Sequence, residues 1–299
     1  MKTKVLVLGC NGMLGGSIFR YFSENTEYET IGALRSKRLK NKFSKHGFNN
    51  TVLINDIHKN FDIDKILNEH RPEIVFNCIG IIKQLDDSKL SIPSIQINSL
   101  LPHKIASLCD EIKAKLIHFS TDCVFSGNKG MYKETDVPCA FDTYGRSKLL
   151  GEVNYGRHLT IRTSIIGHEI ERNLSLIDWF INEKKSVKGF SGAIFSGMPT
   201  IYLAELLESS ILKSNICGLY HLGVNPINKF ELLKKTKKIY ELDINIEKCS
   251  ELQINRSLDS DLLWNRLGFE PPSWDNLLER MRNEYKKYFA TSLEIFINA

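Results

Sequence analysis

Apolar runs of strand length alternate with helix-length stretches through the first half of the chain. The runs are Val5–Leu8, Thr30–Leu34, Val52–Ile54, Ile74–Cys78, Lys115–Phe119 and Leu159–Arg162. They are near-continuous rather than alternating, the pattern of strands buried on both faces of a parallel sheet. Between them, Gly12–Ser23 carries Met13, Leu14, Ile18, Phe19 and Phe22 at helical spacing. Ile95–Ile112 does the same with Ile97, Leu100, Leu101, Ile105, Leu108 and Ile112. This rhythm predicts an α/β fold with a doubly wound parallel sheet. After Arg162 it changes. Leu174–Ile181 and Ile201–Leu212 read as helices, Gly218–Leu222 as a further strand, and Asp275–Phe289 as a long terminal helix, with Pro199, Pro226 and Pro271-Pro272 in loops. The chain therefore divides into a larger α/β domain over 1–168, rejoined by a strand at 218–224, and a smaller interleaved lobe over 169–299.

At 299 residues, with 42% hydrophobic and 25% charged residues, the composition is that of an ordered globular protein. No apolar run nears the length of a membrane span. The net charge of +5, from 40 basic and 35 acidic residues, is too mild to signal nucleic acid by itself. Seven scattered cysteines (Cys10, Cys78, Cys109, Cys123, Cys139, Cys217, Cys249) show neither CxxC spacing nor histidines at zinc-ligand spacing, so no metal site is expected and they read as mostly buried thiols in a reducing compartment. The start, Met1-Lys2-Thr3-Lys4 before Val5–Cys10, has too short an apolar run for a secretory leader and reads as the first strand. A cytoplasmic location is the expectation.

Chemistry enters where the first strand meets the first helix, at Gly9-Cys10-Asn11-Gly12-Met13-Leu14-Gly15. One glycine permits a tight turn, one lets backbone approach a pyrophosphate, and one lets helix and strand pack closely. The helix start offers unpaired N–H groups and a partial positive charge to phosphates. An acidic residue at the end of the second strand would accept hydrogen bonds from an NAD ribose. Arg35-Ser36-Lys37-Arg38 stands there instead, and a cationic fork suits a 2′-phosphate. NADPH (NADP) is thus favoured over NADH, with Arg35 and Ser36 as contacts and the remaining basic residues through Lys45 as a solvated helix face. Asp56, with Ile57, stands where an adenine would bind.

Tyr144 and Lys148 stand four apart, on one face of a predicted helix. Ser120-Thr121-Asp122 follows the fifth strand, at the carboxyl edge where such folds build their sites. A hydroxyl, a phenol and an ammonium there form a proton-donating set for carbonyl reduction, with the phenol pKa expected to fall beside Lys148 and a nicotinium charge. GxxGxxG, the strand-end Ser-Thr and YxxxK together resemble an extended short-chain dehydrogenase/reductase. Ser120–Gly127 and Tyr144-Gly145-Arg146-Ser147-Lys148-Leu149-Leu150-Gly151-Glu152 resemble the dTDP-4-dehydrorhamnose reductase family, whose wording is STDYVFDG and YGxTKLxGE. Arg162-Thr163-Ser164, Phe195–Thr200, Gly218–Leu222, Asn255-Arg256-Ser257 and Trp274 extend the resemblance nearly end to end.

The resemblance implies a Rossmann-type NADP-binding domain with a smaller C-terminal α/β substrate-binding lobe. It implies that Thr121 bonds the substrate carbonyl, that Tyr144 donates the proton, and that Lys148 binds the nicotinamide ribose. Cys78, Ile79 and Gly80, with Asn77, fall in the cofactor-contacting loop, and Asn98 matches a helix asparagine supporting the site. Lys83, Asp122, Val124, Ser164 and Arg256 fall on the substrate side. Leu8 replaces a usual Thr, Cys123 a usual aromatic, and Asn77–Gln84 an Ala-rich loop. That loop resembles a branch reducing UDP-linked N-acetylated 4-keto-6-deoxy sugars, so the nucleotide-sugar partner is dTDP- or UDP-linked. A homodimer is compatible with the family. Two other readings stay open: a 4-epimerase or dehydratase retaining NAD, and an NADP-binding regulatory subunit without turnover. His118, His168, His221, Trp179, Trp264 and Trp274 read mainly as packing residues.

Overall fold

The structure, a computed structural model, describes residues 2–45, 48–54, 61–81, 90–170 and 175–290. The predicted rhythm is present: β1 (Thr3–Leu8), α1 (Met13–Glu24), β2 (Tyr28–Leu34), α2 (Lys37–Lys45), β3 (Thr51–Leu53), α3 (Phe61–His70) and β4 (Ile74–Asn77). A short helix α4 (Ser91–Ser94) leads through a wide π turn into α5 (Leu101–Glu111), then β5 (Lys115–Thr121), α6 (Thr143–Leu150) and β6 (Leu159–Thr163). The second half adds β7 (Ile165–Ile166), α7 (Leu176–Asn182), β8 (Val187–Phe190), β9 (Ala193–Phe195), β10 (Met198–Pro199), α8 (Thr200–Leu206) and β11 (Gly218–Leu222). It closes with β12 (Ile227–Asn228), α9 (Lys229–Tyr240), β13 (Ile246–Cys249), β14 (Ile254–Asn255), α10 (Asp261–Leu267) and α11 (Trp274–Tyr285).

Seven strands form one parallel sheet in the order β11-β6-β5-β4-β1-β2-β3. The order reverses between β1 and β4, which opens a crevice beyond the carboxyl ends of the strands. One sheet face buries Val5, Val7, Phe76, Ile117 and Ile161 against α1 and α8, and the other buries Leu6, Leu8, Val75 and Leu116 against α5. Burial on both faces explains the continuous apolar runs. β11 pairs with β6 from Gly218↔Leu159 to Leu222↔Thr163, so the chain returns to the sheet after its excursion. The small sheets, β12-β9-β14 and β13-β8, join strands that precede β11 to strands that follow it.

One helix differs from its sequence reading. Ile95–Ile112 looks continuous, yet Ile95–Leu100 opens into a π turn before α5. Pro102 has no N–H to give Asn98, four residues back, and the Leu101 N–H turns instead to the Gln96 carbonyl. Wide turns of this kind recur at functional sites. Trp179 is 39% exposed rather than packed, whereas Trp264 and Trp274 are buried and donate to the Gly223 and Asn225 carbonyls.

Candidate active site

The chain turns as soon as β1 ends. Gly9 adopts φ +78°, and a Cβ there would meet the Cys78 carbonyl at 3.1 Å. Gly15 faces back onto the same turn, where a Cβ would lie 2.3 Å from the Gly9 oxygen. Both glycines are therefore demanded by the protein's own packing. Gly12 is not, since a Cβ would find only the Gly9 oxygen at 3.5 Å. It caps α1 without a side-chain hydrogen bond, and no acid stands in the first turn. The helix start consequently presents its N–H groups and partial positive charge to the crevice. Asn11 and Met13 are half-buried beside it, and Leu14 is buried in the core. A pyrophosphate fits this cradle.

Arg35 is exposed at the end of β2, and the Ser36 hydroxyl accepts the Leu39 N–H at 3.5 Å as α2 begins. Leu39 and Phe43 anchor that helix in the core, while Lys37, Arg38 and Asn41 face solvent. The basic stretch is thus the outer face of an amphipathic helix, with Arg35 at the strand's end. Asp56, Ile57 and Lys83 lie outside the described residues.

Past β4, Asn77 accepts the Ile79 N–H at 3.2 Å and pairs through its amide with His118 Nδ1 at 3.1 Å. The π turn projects Asn98 beneath the next residues. Its Oδ1 accepts the Ile81 N–H at 2.9 Å, and its Nδ2 donates to the Ile81 carbonyl and the Ser147 hydroxyl. Asn98 thereby fastens the loop of Cys78, Ile79 and Gly80 to α6, a positioning task that occupies its whole side-chain amide.

The three candidate catalytic residues converge at the end of β5. Thr121 is 7% exposed, and its hydroxyl accepts the Cys123 N–H at 3.1 Å and donates to Asp122 at 3.2 Å. The Thr121 hydroxyl acts on the Tyr144 phenol, lowering its pKa against burial. Asp142 caps α6 by accepting the Gly145 N–H at 2.7 Å, which sets Tyr144 in the first turn. Lys148, one turn on, donates to the Phe119 carbonyl at 2.7 Å. Burial pushes the Lys148 ammonium down to about 8, opposed by Glu152 and Cys78. Burial, then Cys123, pushes the Tyr144 phenol above its ordinary value, and the Thr121 hydroxyl opposes them. The expected lowering is thus absent from the protein groups alone, because desolvation outweighs them.

Asp122 is buried and its carboxyl is pushed up by burial, with Arg256 opposing. Arg256 donates from Nε to the Phe125 carbonyl at 3.0 Å. Ser164 lies half-buried past β6, its carbonyl taking the Met198 N–H. Val124 is fully buried against Phe125, Tyr132 and Leu258, and its carbonyl accepts the Cys139 and Ala140 N–H groups. Neither His168 nor His221 is free for a ligand. His168 bonds Asp178 and Tyr240, and His221 bonds Arg162 and the Tyr132 carbonyl.

Two features escape a sequence reading. Glu152 accepts from Ser120 at 2.6 Å and from Arg162 at 2.7 Å through each oxygen, a buried bracket whose charge favours protonated Lys148. The Gly-Glu ending of the α6 motif was the available signal for it. Lys229, at the start of α9, places its ammonium 3.8 Å from the centroid of the Phe195 ring and feels the charge of Asp122, and no local motif marks it. Among the described residues, no three His, Cys, Asp or Glu side chains converge as metal ligands, and no helix is long and apolar enough to cross a membrane.

Comparison with known proteins agrees with this architecture. The dTDP-4-dehydrorhamnose reductase of Bacillus anthracis str. Ames, solved in complex with NADP, superposes with a TM-score of 0.78 at 23% identity, over 95% of this chain and all of that one. The dTDP-4-dehydrorhamnose reductase of Aggregatibacter actinomycetemcomitans is 22% identical over 93% of this chain and 98% of its own length. The "Probable low-salt glycan biosynthesis reductase Agl14" of Haloferax volcanii is 32% identical, but the match spans 49% of this chain and 46% of that protein. Methionine adenosyltransferase 2 subunit beta of Bos taurus is 28% identical over 56% of this chain and 48% of its own length. The RmlD substrate binding domain profile matches residues 3–286, and the chain belongs to that family.

Proposed function

We propose that this protein is an NADPH-dependent reductase of the C4 ketone of a nucleoside-diphosphate 4-keto-6-deoxyhexose, serving the synthesis of cell-surface polysaccharide sugars in the cytoplasm. The observation that carries this reading is the convergence at the carboxyl edge of β5, where Thr121 ends the strand, Lys148 of α6 donates to the Phe119 carbonyl, and Tyr144 stands one helical turn before Lys148. Residues 1–168, with the strand at 218–224, hold the cofactor, and 169–299 supply most of the substrate lobe. Gly9, Gly12 and the start of α1 hold the pyrophosphate, Arg35 and Ser36 the 2′-phosphate, and Lys148 the nicotinamide ribose. When bound there, the reduced nicotinamide supplies the hydride that sugar C4 receives.

The chain's own work concerns the proton. Thr121 and Tyr144 hold the carbonyl oxygen between two hydroxyls. Tyr144 is a neutral phenol at pH 7, since burial keeps its pKa high. As C4 gains hydride, the Tyr144 O–H bond breaks and the proton moves to the developing alkoxide, leaving a phenolate. Lys148, protonated at neutral pH and supported by Glu152, stabilises that phenolate through the developing charge. Asn98 keeps the loop at 78–81 fixed to α6 while this happens.

NADPH consumption with two freshly generated substrates tests the reading: a dTDP-4-keto-6-deoxyhexose and a UDP-2-acetamido-4-keto-6-deoxyhexose. Turnover of either supports the reductase and selects the nucleotide branch. Tyr144→Phe should leave NADPH binding nearly intact and lower turnover by roughly 10²–10⁴. Similarity to methionine adenosyltransferase 2 subunit beta favours one second reading, a subunit of another enzyme. Tight NADPH binding without turnover of any ketosugar, together with a stoichiometric partner on purification, would select it.

A further inference from the structure

His118 lies in the middle of β5, fully buried, and the mechanism above does not use it. By strand alternation it shares a sheet face with Leu116, and that face packs its apolar side chains against α5. An aliphatic side chain would suit the position. The imidazole instead stands level with Asn77 of β4, its cross-strand partner in the parallel register. Asn77 Oδ1 accepts the Ile79 N–H at 3.2 Å, so the Asn77 amide nitrogen is the donor to His118 Nδ1 at 3.1 Å. Nδ1 therefore carries the lone pair, and the ring proton sits on Nε2. Burial, then Lys148 and His103, hold the imidazole well below the ordinary histidine range, which keeps it neutral. Nε2 is itself buried with no partner among the described residues. The fold thus leaves one buried donor unsatisfied, an unfavourable arrangement, in order to make a single bond to Asn77.

That bond decides how Asn77 is turned. An amide whose nitrogen is held by an acceptor must present its oxygen the other way, and here the oxygen meets the Ile79 N–H. The bond falls just past the sheet, whose last link on this side runs from the Cys78 N–H to the Leu8 carbonyl at 3.0 Å. The loop that follows lies directly on the phosphate turn: a Cβ on Gly9 would come within 3.1 Å of the Cys78 carbonyl and of the Ile79 side chain. The far end of the loop, Ile81, is held through both its N–H and its carbonyl by Asn98. Asn77 is the matching tie at the near end, and His118 orients it. We propose that His118 is a positioning residue for the dinucleotide: through Asn77 it fixes the loop of Cys78, Ile79 and Gly80 beside the phosphate turn, in the shape that receives the cofactor. This rests on the NADP part of the function proposed above and not on which sugar is reduced.

The test separates cofactor affinity from stability. NADPH binding by calorimetry and melting temperature are measured for the wild type, His118→Leu and His118→Asn, and for Asn77→Ala with and without His118→Leu. His118→Leu removes the acceptor for Asn77 together with the unsatisfied donor. It should therefore melt at or above the wild-type temperature while its Kd for NADPH rises roughly 3- to 10-fold, the equivalent of one neutral hydrogen bond. His118→Asn, whose oxygen can stand where Nδ1 stood, should recover most of that affinity. In the Asn77→Ala background His118→Leu should change the Kd by less than about 2-fold, because the residue through which it acts is gone. A merely structural histidine gives the opposite pattern: a lower melting temperature, no recovery by Asn, and the same loss of affinity with or without Asn77. That pattern, or a His118→Leu protein that binds NADPH as the wild type does, overturns the proposal. None of these measurements needs a sugar. A protein that binds NADPH but turns over no ketosugar therefore sinks the reductase reading alone, whereas a wild type that does not bind NADPH overturns the proposal as well.

Discussion

Lys148 is 6% exposed, and the Phe119 carbonyl is the acceptor that holds its ammonium. Its folded pKa, about 8, lies below the ordinary lysine value of 10.5. Between those values the unfolded chain binds the proton and the folded one does not, so stability rises with pH through that window. Below about 8 the full cost of burying the charge is present. Lys148→Met should therefore lower turnover by roughly 10²-fold or more while leaving the pH 7 melting temperature equal to or above that of the wild type. The difference between the two proteins should shrink as pH rises from about 8 towards 10.5. Melting curves across that range check it, and a variant less stable at every pH would mean that the Phe119 bond outweighs the desolvation. Glu152 belongs to the same argument, because its charge keeps Lys148 protonated against burial.

At the scale of the element, the turn from β1 into α1 separates two demands that look identical in the sequence. Gly15 is required by packing, since a Cβ would press on the Gly9 oxygen at 2.3 Å. Gly12 meets only ordinary contact. Gly15→Ala should cost about 1–3 kcal/mol of stability, as overpacking does. Gly12→Ala should change stability by less than about 1 kcal/mol, the scale of an altered cap, yet weaken NADPH binding several-fold. Denaturant melts and NADPH titrations on the two variants measure the separation, and equal losses of stability would refute it. The three glycines were legible because their spacing falls between a strand and a helix. Thr121, Tyr144 and Lys148 were legible for a similar reason, each lying in a short local motif. The strands were legible because burial on both faces leaves continuous apolar runs. Lys229 was not, because only the return of the chain through β11 and the pairing of β12 with β9 bring it over Phe195. The π turn was missed although its cause, Pro102, is local, because a proline in the first turn of a helix usually continues it without distortion.

Across the whole molecule, α1 carries the candidate phosphate turn at one end and a buried ionic knot further along. Arg20 donates to Glu284 of α11 at 2.7 Å, and the Ser17 hydroxyl reaches both Glu284 and Thr200, at 2.8 Å each. The side chains of Arg20 and Glu284 are 4% and 1% exposed, and the guanidinium also lies 5.1 Å from the rings of Tyr288 and Phe289. The partners are 264 residues apart, so this knot ties the first helix of the sheet to the last helix of the chain. It is incompletely satisfied, since Arg20 Nε and Glu284 Oε2 are buried with no partner among the described residues. Removing one charge leaves the other buried and uncompensated, whereas removing both leaves only a packing problem. Arg20→Met should therefore cost about 3–5 kcal/mol, and Arg20→Met combined with Glu284→Leu should recover most of that loss. The comparison is made by denaturant unfolding of the single and double variants. A double variant no more stable than Arg20→Met would show that the hydrogen bonds from Ser17, rather than the charge pair, hold α1 to α11.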